Sequence, residues 1–226
     1  MTPLRITAHL AGPLMRPSGG TIMLDSLLMS VVARQLNLPP PAVDHEPEDI
    51  PIPVARDERT GLHLCTDALA QVDAYEVRYL RRRFPVPEAI AFGDRGRPVN
   101  VNPSGGLTKS TNRPDEMVHP ERGIVRWYAL GDADAVRELL GFVTHLGKMR
   151  GHGHGEVLRW VVEPCEAWEG FPVLYQGRPL RALPLDWPGL DARAQRDYRV
   201  LRPPYYWRAP ERTELCAVPG EGEAQP

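Results

Sequence analysis

The sequence lacks any apolar run near the roughly 18 residues that a membrane span needs. Its first residues, Met1-Thr2-Pro3-Leu4-Arg5-Ile6-Thr7, carry no signal-peptide core. Cysteine is scarce: Cys65, Cys165 and Cys216 are odd in number and far apart, which argues against a disulfide framework and for a reducing cytoplasm. A basic excess is also missing, since the formal net charge is −2. Bulk electrostatic binding to nucleic acid is therefore not expected from the sum alone. No Ser/His/Asp spacing and no paired-carboxylate motif stands out. Ser104-Gly-Gly-Leu-Thr-Lys109-Ser110 is not a P-loop, because no glycine precedes the lysine and no helical pattern follows.

Proline, by contrast, is plentiful, at 25 of 226 residues. That is about twice the usual share. Much of it lies in connections such as Pro39-Pro40-Pro41, Pro51, Pro53, Pro85, Pro87 and Pro203-Pro204, which predicts long extended loops. Hydrophobic residues make up 42%, enough for one large domain or a domain plus a smaller lobe.

Charge is distributed unevenly. Acid gathers at Asp44, Glu46, Glu48 and Asp49, and again at Glu211, Glu214, Glu221 and Glu223. Base gathers at Arg78 and Arg81-Arg82-Arg83, at Lys148 and Arg150, and at Arg193, Arg196, Arg199 and Arg202. Arginine dominates these clusters, and its planar fork suits phosphate and base stacking. A solvated surface, or a genome that favours arginine, gives the same clusters.

Periodicity predicts the elements. Residues 4–10 alternate with apolar side chains at 4, 6, 8 and 10, the pattern of a strand with one buried face. Apolar positions 24, 27, 28, 31, 32 and 36 predict a helix. Leu62–Thr66, Ala74–Leu80, Gly123–Ala129 and Glu156–Glu163 read as strands. Val136, Leu139, Leu140, Val143 and Leu146 predict a helix over 133–146, with Asp132 or Asp134 as its N-cap and Gly147 as a left-handed C-cap. The resulting order of strands and helices is that of an α+β, ferredoxin-like βαββαβ core. Residues 84–122 read as a long insertion, 164–210 as a proline-rich C-terminal extension on the core, and 211–226 as a tail without order.

The segment richest in information is Gly147-Lys148-Met149-Arg150-Gly151-His152-Gly153-His154-Gly155-Glu156. Glycine admits positive φ and close approach of a ligand to the backbone, and lysine, arginine and free N–H groups suit phosphate. Nucleotide-binding loops run strand, glycine loop, helix; here the order is helix, glycine loop, strand. Lys148, Arg150, Gly151, His152, Gly153 and His154 are thus candidate polyanion contacts. Cations that merely complement a helix C-terminus are the plainer alternative. His152 and His154 lack an evident third ligand, so no metal and no cofactor is expected. Arg81 and Arg83 share a strand face with Tyr79 and, with Arg78, suggest a surface for single-stranded RNA. A charged edge strand kept from aggregating reads the same way. Tyr205, Tyr206 and Trp207 are expected to pack the C-terminal segment rather than stack on bases.

Three stretches together resemble the CRISPR-associated RAMP superfamily, and in particular its type IV Cas-five-like subunit. They are Leu4-Arg-Ile-Thr-Ala-His-Leu-Ala-Gly-Pro-Leu followed by Leu24-Asp-Ser-Leu-Leu, then His145-Leu-Gly-Lys-Met-Arg-Gly-His-Gly-His-Gly-Glu-Val, then Arg202-Pro-Pro-Tyr-Tyr-Trp. The resemblance covers roughly residues 1–207. It implies a non-catalytic subunit that caps the 5′ handle of the guide RNA (crRNA) beside the backbone and large subunits, and that meets target DNA only indirectly. It also implies a protruding thumb within 84–122, with Lys109 and Arg113 as RNA contacts. His152 and His154 depart from a simpler loop of this kind and raise the alternative of a guide-processing endoribonuclease. An interaction module without RNA is the remaining alternative.

Overall fold

A computed structural model describes residues 1–17, 20–38, 50–82, 111–203 and 213–220. Along the chain run β1 (Thr2–Leu10), β2 (Leu14–Met15), α1 (Leu24–Gln35), β3 (Val72–Arg82), β4 (Thr111–Pro120), β5 (Ile124–Gly131), α2 (Ala133–Leu140) and β6 (Val157–Pro164). The short strands β7 (Leu174–Tyr175), β8 (Arg178–Pro179), β9 (Leu183–Pro184), β10 (Arg196–Val200) and β11 (Thr213–Ala217) follow. The class is α+β. Among the described residues no helix is long and apolar enough to cross a membrane.

The alternation read in β1 builds the core. Leu4, Ile6, Ala8 and Leu10 are buried on one face of an antiparallel sheet ordered β5-β1-β6. Val125, Trp127 and Ala129 of β5 and Val162 of β6 extend that face. Leu24, Leu28 and Val31 of α1 and Val136 and Leu140 of α2 close over it. The Trp127 indole donates to the Ile22 carbonyl at 2.9 Å, and Trp160 donates to that of Val143 at 2.9 Å. The buried ring of Trp127 and the partly buried ring of Trp160 thus satisfy their one donor.

Leu62–Thr66, expected as a strand, is an irregular run held against β5 by scattered bonds. Thr66 N–H donates to Tyr128 O at 2.9 Å, Leu130 N–H donates to Leu64 O at 2.9 Å, and Leu69 and Arg126 exchange bonds of 2.9 and 2.8 Å. The ladder breaks because Cys65 N–H turns back to His63 O and Asp67 N–H leaves to Leu180 O. The strand expected at 74–80 lies in a different sheet, ordered β2-β4-β3, where β3 and β4 form a long antiparallel arm.

Two further expectations need correction. The second helix ends at Leu140, not 146: Gly141 is its C-cap, with right-handed φ and ψ of −57° and −23°. Phe142 and Val143 then bond three residues back, tightening the last turn. Thr144 and His145 leave the helix to pair with Val157 and Glu156, so tertiary pairing overrides the apolar period. The N-cap is as expected: the Asp132 carboxylate accepts from the N–H groups of Asp134 and Ala135, each at 3.0 Å. The second correction is at the C-terminus. Residues 213–217, read as part of a tail, form β11 between β10 and β9, with Cys216 and Ala217 fully buried.

Candidate nucleic-acid interface

The glycine loop is pinned at both ends. His145 bridges Glu156, Leu146 N–H donates to Gly155 O at 2.8 Å, and Gly155 N–H donates to Pro13 O at 2.9 Å. Gly147 has the expected positive φ of 74°, but it caps no helix. A Cβ there would lie 2.3 Å from Met15 O, so glycine lets the loop close onto β2. Gly155, with φ of 68°, is packed as tightly, 2.1 Å from Leu146 O. Gly151 and Gly153 differ: a Cβ at either meets nothing within 4 Å. Two glycines of the loop therefore serve the fold, and two leave open space in front of the backbone.

The candidate side chains divide in the same way. Lys148 is half-buried, and its ammonium donates to the carboxylate of buried Asp115 on β4 at 3.2 Å. Its backbone N–H donates to Met15 O at 3.0 Å. The sequence marked Lys148 as a ligand contact; the structure places it as a strut between the loop and the arm. Arg16 braces the same corner, with its guanidinium on Glu116 at 3.1 Å. Arg150, Gly151 and His152 form an exposed 3-10 turn, and His154 is half-buried beyond it. Among the described residues no group of three His, Cys, Asp or Glu stands where a metal would be held.

The arm carries the second part of the site. Strand alternation puts Tyr75, Val77 and Tyr79 on one face of β3, with exposures of 61%, 57% and 60%. Arg78 sits on the opposite face, its guanidinium 3.0 Å from Glu76. Arg81 and Arg113 occupy ladder positions near the far end, opposite Asn112 and Leu80 respectively. Arg83 and Lys109 lie outside the described residues, as do Tyr205, Tyr206 and Trp207.

One constellation has no counterpart in the sequence reading. Arg181, 2% exposed, reaches from the C-terminal extension into the centre of the molecule. It donates to Asp25 Oδ2 at 3.2 Å, His63 O at 2.7 Å, Cys65 O at 3.3 Å and Leu201 O at 3.3 Å. Asp25 and His63 are buried with it, 3.8 Å apart. This sealed set joins α1, the run beside β5 and the extension, and it serves the fold. Its members lie far apart in sequence, so no local spacing announces it.

Asp67 lies beside this set, and burial pushes its carboxyl up to about 6, with the Asp25 charge adding and Arg181 and Thr21 opposing. A carboxyl raised on folding holds its proton more tightly in the folded chain. Its stabilisation is present below the unfolded value near 4 and is lost as pH rises through about 6. Asp67→Asn is therefore expected to raise stability above pH 7 by on the order of 2–3 kcal/mol and to change it little near pH 4. Denaturant midpoints of the two proteins at those pH values check this.

No curated protein matches the chain. Residues 101–218, just over half the length, match the sequence model of the family described as CRISPR type IV associated protein Csf3. That stretch takes in β4 of the arm, the whole glycine loop and the anchored Arg181. The chain belongs to this family and is a type IV CRISPR-associated subunit.

Proposed function

We propose that this subunit is a non-catalytic guide-RNA-binding component that holds the 5′ handle of the crRNA in a type IV effector ribonucleoprotein. The observation that carries the reading is the arm: a stripe of Tyr75, Val77 and Tyr79, each more than half exposed, on β3 of the sheet whose other edge strand, β2, receives the glycine loop. Solvent-facing rings in a row suit bases, whose stacking is worth about 1–3 kcal/mol each and tolerates any sequence. Arg150 and the open backbone at Gly151 supply a phosphate contact on the glycine loop.

The order of the central sheet supports this reading, and we read it as a ferredoxin-like, RAMP-type core. The run 64–69, β5, β1 and β6 lie side by side in that order, with both helices on one face. The arm, whose β4 falls within residues 84–122, is read as the thumb. The backbone and large subunits of the complex are the expected protein partners, and target DNA is met only through the guide. Among the described residues His152 is exposed, and the His63–Asp25 pair is sealed inside.

Incubating the purified protein with repeat-derived RNA in the presence of chelator tests the non-catalytic part. RNA retained at full length is expected. Cleavage at a defined position, lost in His152→Ala or His154→Ala, would replace this reading with a guide-processing nuclease.

A further inference from the structure

The helices cover one face of the central sheet, and the aromatic cluster of Tyr128, Trp168, Phe171 and Tyr175 covers part of the other. Beyond that cluster stand two arginines and a histidine. Arg159 on β6 is directly opposite His9 on β1, and Arg126 on β5 is opposite Thr7, one diagonal step from His9. Both guanidiniums are exposed, and His9 is half-buried. The carboxylate of this face, Glu163, is taken by Arg5 at 2.8 Å. Among the described residues neither Arg126 nor Arg159 has a side-chain hydrogen bond or ion pair.

Like charges set directly opposite across a strand pair destabilise it. Here the imidazole is held below its usual pKa, by burial first and then by Arg159 and Arg126. The imidazole is thereby kept neutral, which removes that repulsion and leaves the two guanidiniums to attract an anion on this face. A bulge between His9 and Leu10 leaves Leu158 as an extra residue, 66% exposed, beside Arg159. Bulges of this kind re-aim a side chain. Cations flanked by an exposed apolar side chain suit a nucleotide strand better than a small ion.

Position relates the row to the glycine loop. The loop ends at Gly155, and Arg159 follows four residues later, about 13 Å along an extended strand. Ala11 N–H donates to Glu156 O at 2.9 Å, so the ends of β1 and of the loop are joined at this edge. We propose that His9, Arg126 and Arg159 form a second phosphate-binding site on the sheet face, taking the backbone of single-stranded RNA that continues from the glycine loop. The proposal rests on the guide-RNA reading for the identity of the strand.

The test compares the full-length protein with Arg126→Gln/Arg159→Gln and with Arg150→Ala, measuring affinity for a single-stranded repeat RNA across salt. Two lost phosphate contacts are expected to reduce the slope of log affinity against log salt by about 1.4. Thermal unfolding is expected to stay unchanged or rise. A slope equal to wild type in the sheet-face variant overturns the second site. If Arg150→Ala alone weakens binding, the guide-RNA reading stands and the sheet-face site fails. If the sheet-face variant alone weakens it, the site stands and the loop assignment fails. If the wild type binds no RNA, both fall. Intact RNA binding with lost assembly onto partner subunits would overturn the proposal in favour of a protein interface.

Discussion

Arg181→Met is expected to destabilise the protein by about 3–5 kcal/mol, the range for breaking a buried ion pair from one side. The reason lies in what remains. Asp25 is fully buried and loses the guanidinium 3.2 Å away, while the carbonyls of His63, Cys65 and Leu201 lose a shared donor. Methionine has similar length, so lost packing adds little. Adding Asp25→Asn is expected to restore part of the loss, because the stranded charge is the main cost. Denaturant midpoints of the single and double variants measure both effects. A single variant within 1 kcal/mol of wild type would show that this cluster does not hold the extension to the core.

That cluster also marks the limit of what the sequence conveys. Elements governed by their own periodicity were legible. The alternation of β1, the apolar stripe of α1 and the Asp132 cap all depend on neighbours within a turn or a strand. The same local reading overran at Gly141, because the pairing of 144–145 with 156–157 is set from outside the helix. It missed β11 because Thr213-Glu-Leu-Cys-Ala buries only its last two residues, and its partners begin at Leu183 and Arg196.

Within the candidate site, the glycine loop was legible as a special backbone, but not the division of labour inside it. Positive φ is required at Gly147 and Gly155 by the approach of Met15 and Leu146 carbonyls, and those contacts cross to other parts of the chain or loop. Lys148 looked like Arg150 in sequence. Its buried acidic partner, Asp115, lies 33 residues away on the arm, and only the fold brings the two together. The stripe at 75, 77 and 79 follows from the strand read over 74–80, yet its exposure is set by the fold.

The exposure of that stripe sets the second large effect. Tyr75→Ala with Tyr79→Ala removes two stacking platforms and is expected to cost about 2–4 kcal/mol of RNA binding, roughly 30- to 1,000-fold in affinity. Both rings are about 60% exposed, so little core packing is lost and the change in stability should stay near 0.5 kcal/mol. Loss of binding with the fold retained separates a ligand surface from a structural one. The most direct measurement is therefore the affinity of the wild type and this double variant for a repeat-derived single-stranded RNA, taken at one fixed salt concentration with unfolding temperatures measured in parallel. Tight wild-type binding that falls at least 30-fold in a fully folded variant is the predicted result. Equal affinity of the two proteins would contradict the account of the arm as the surface that holds the guide.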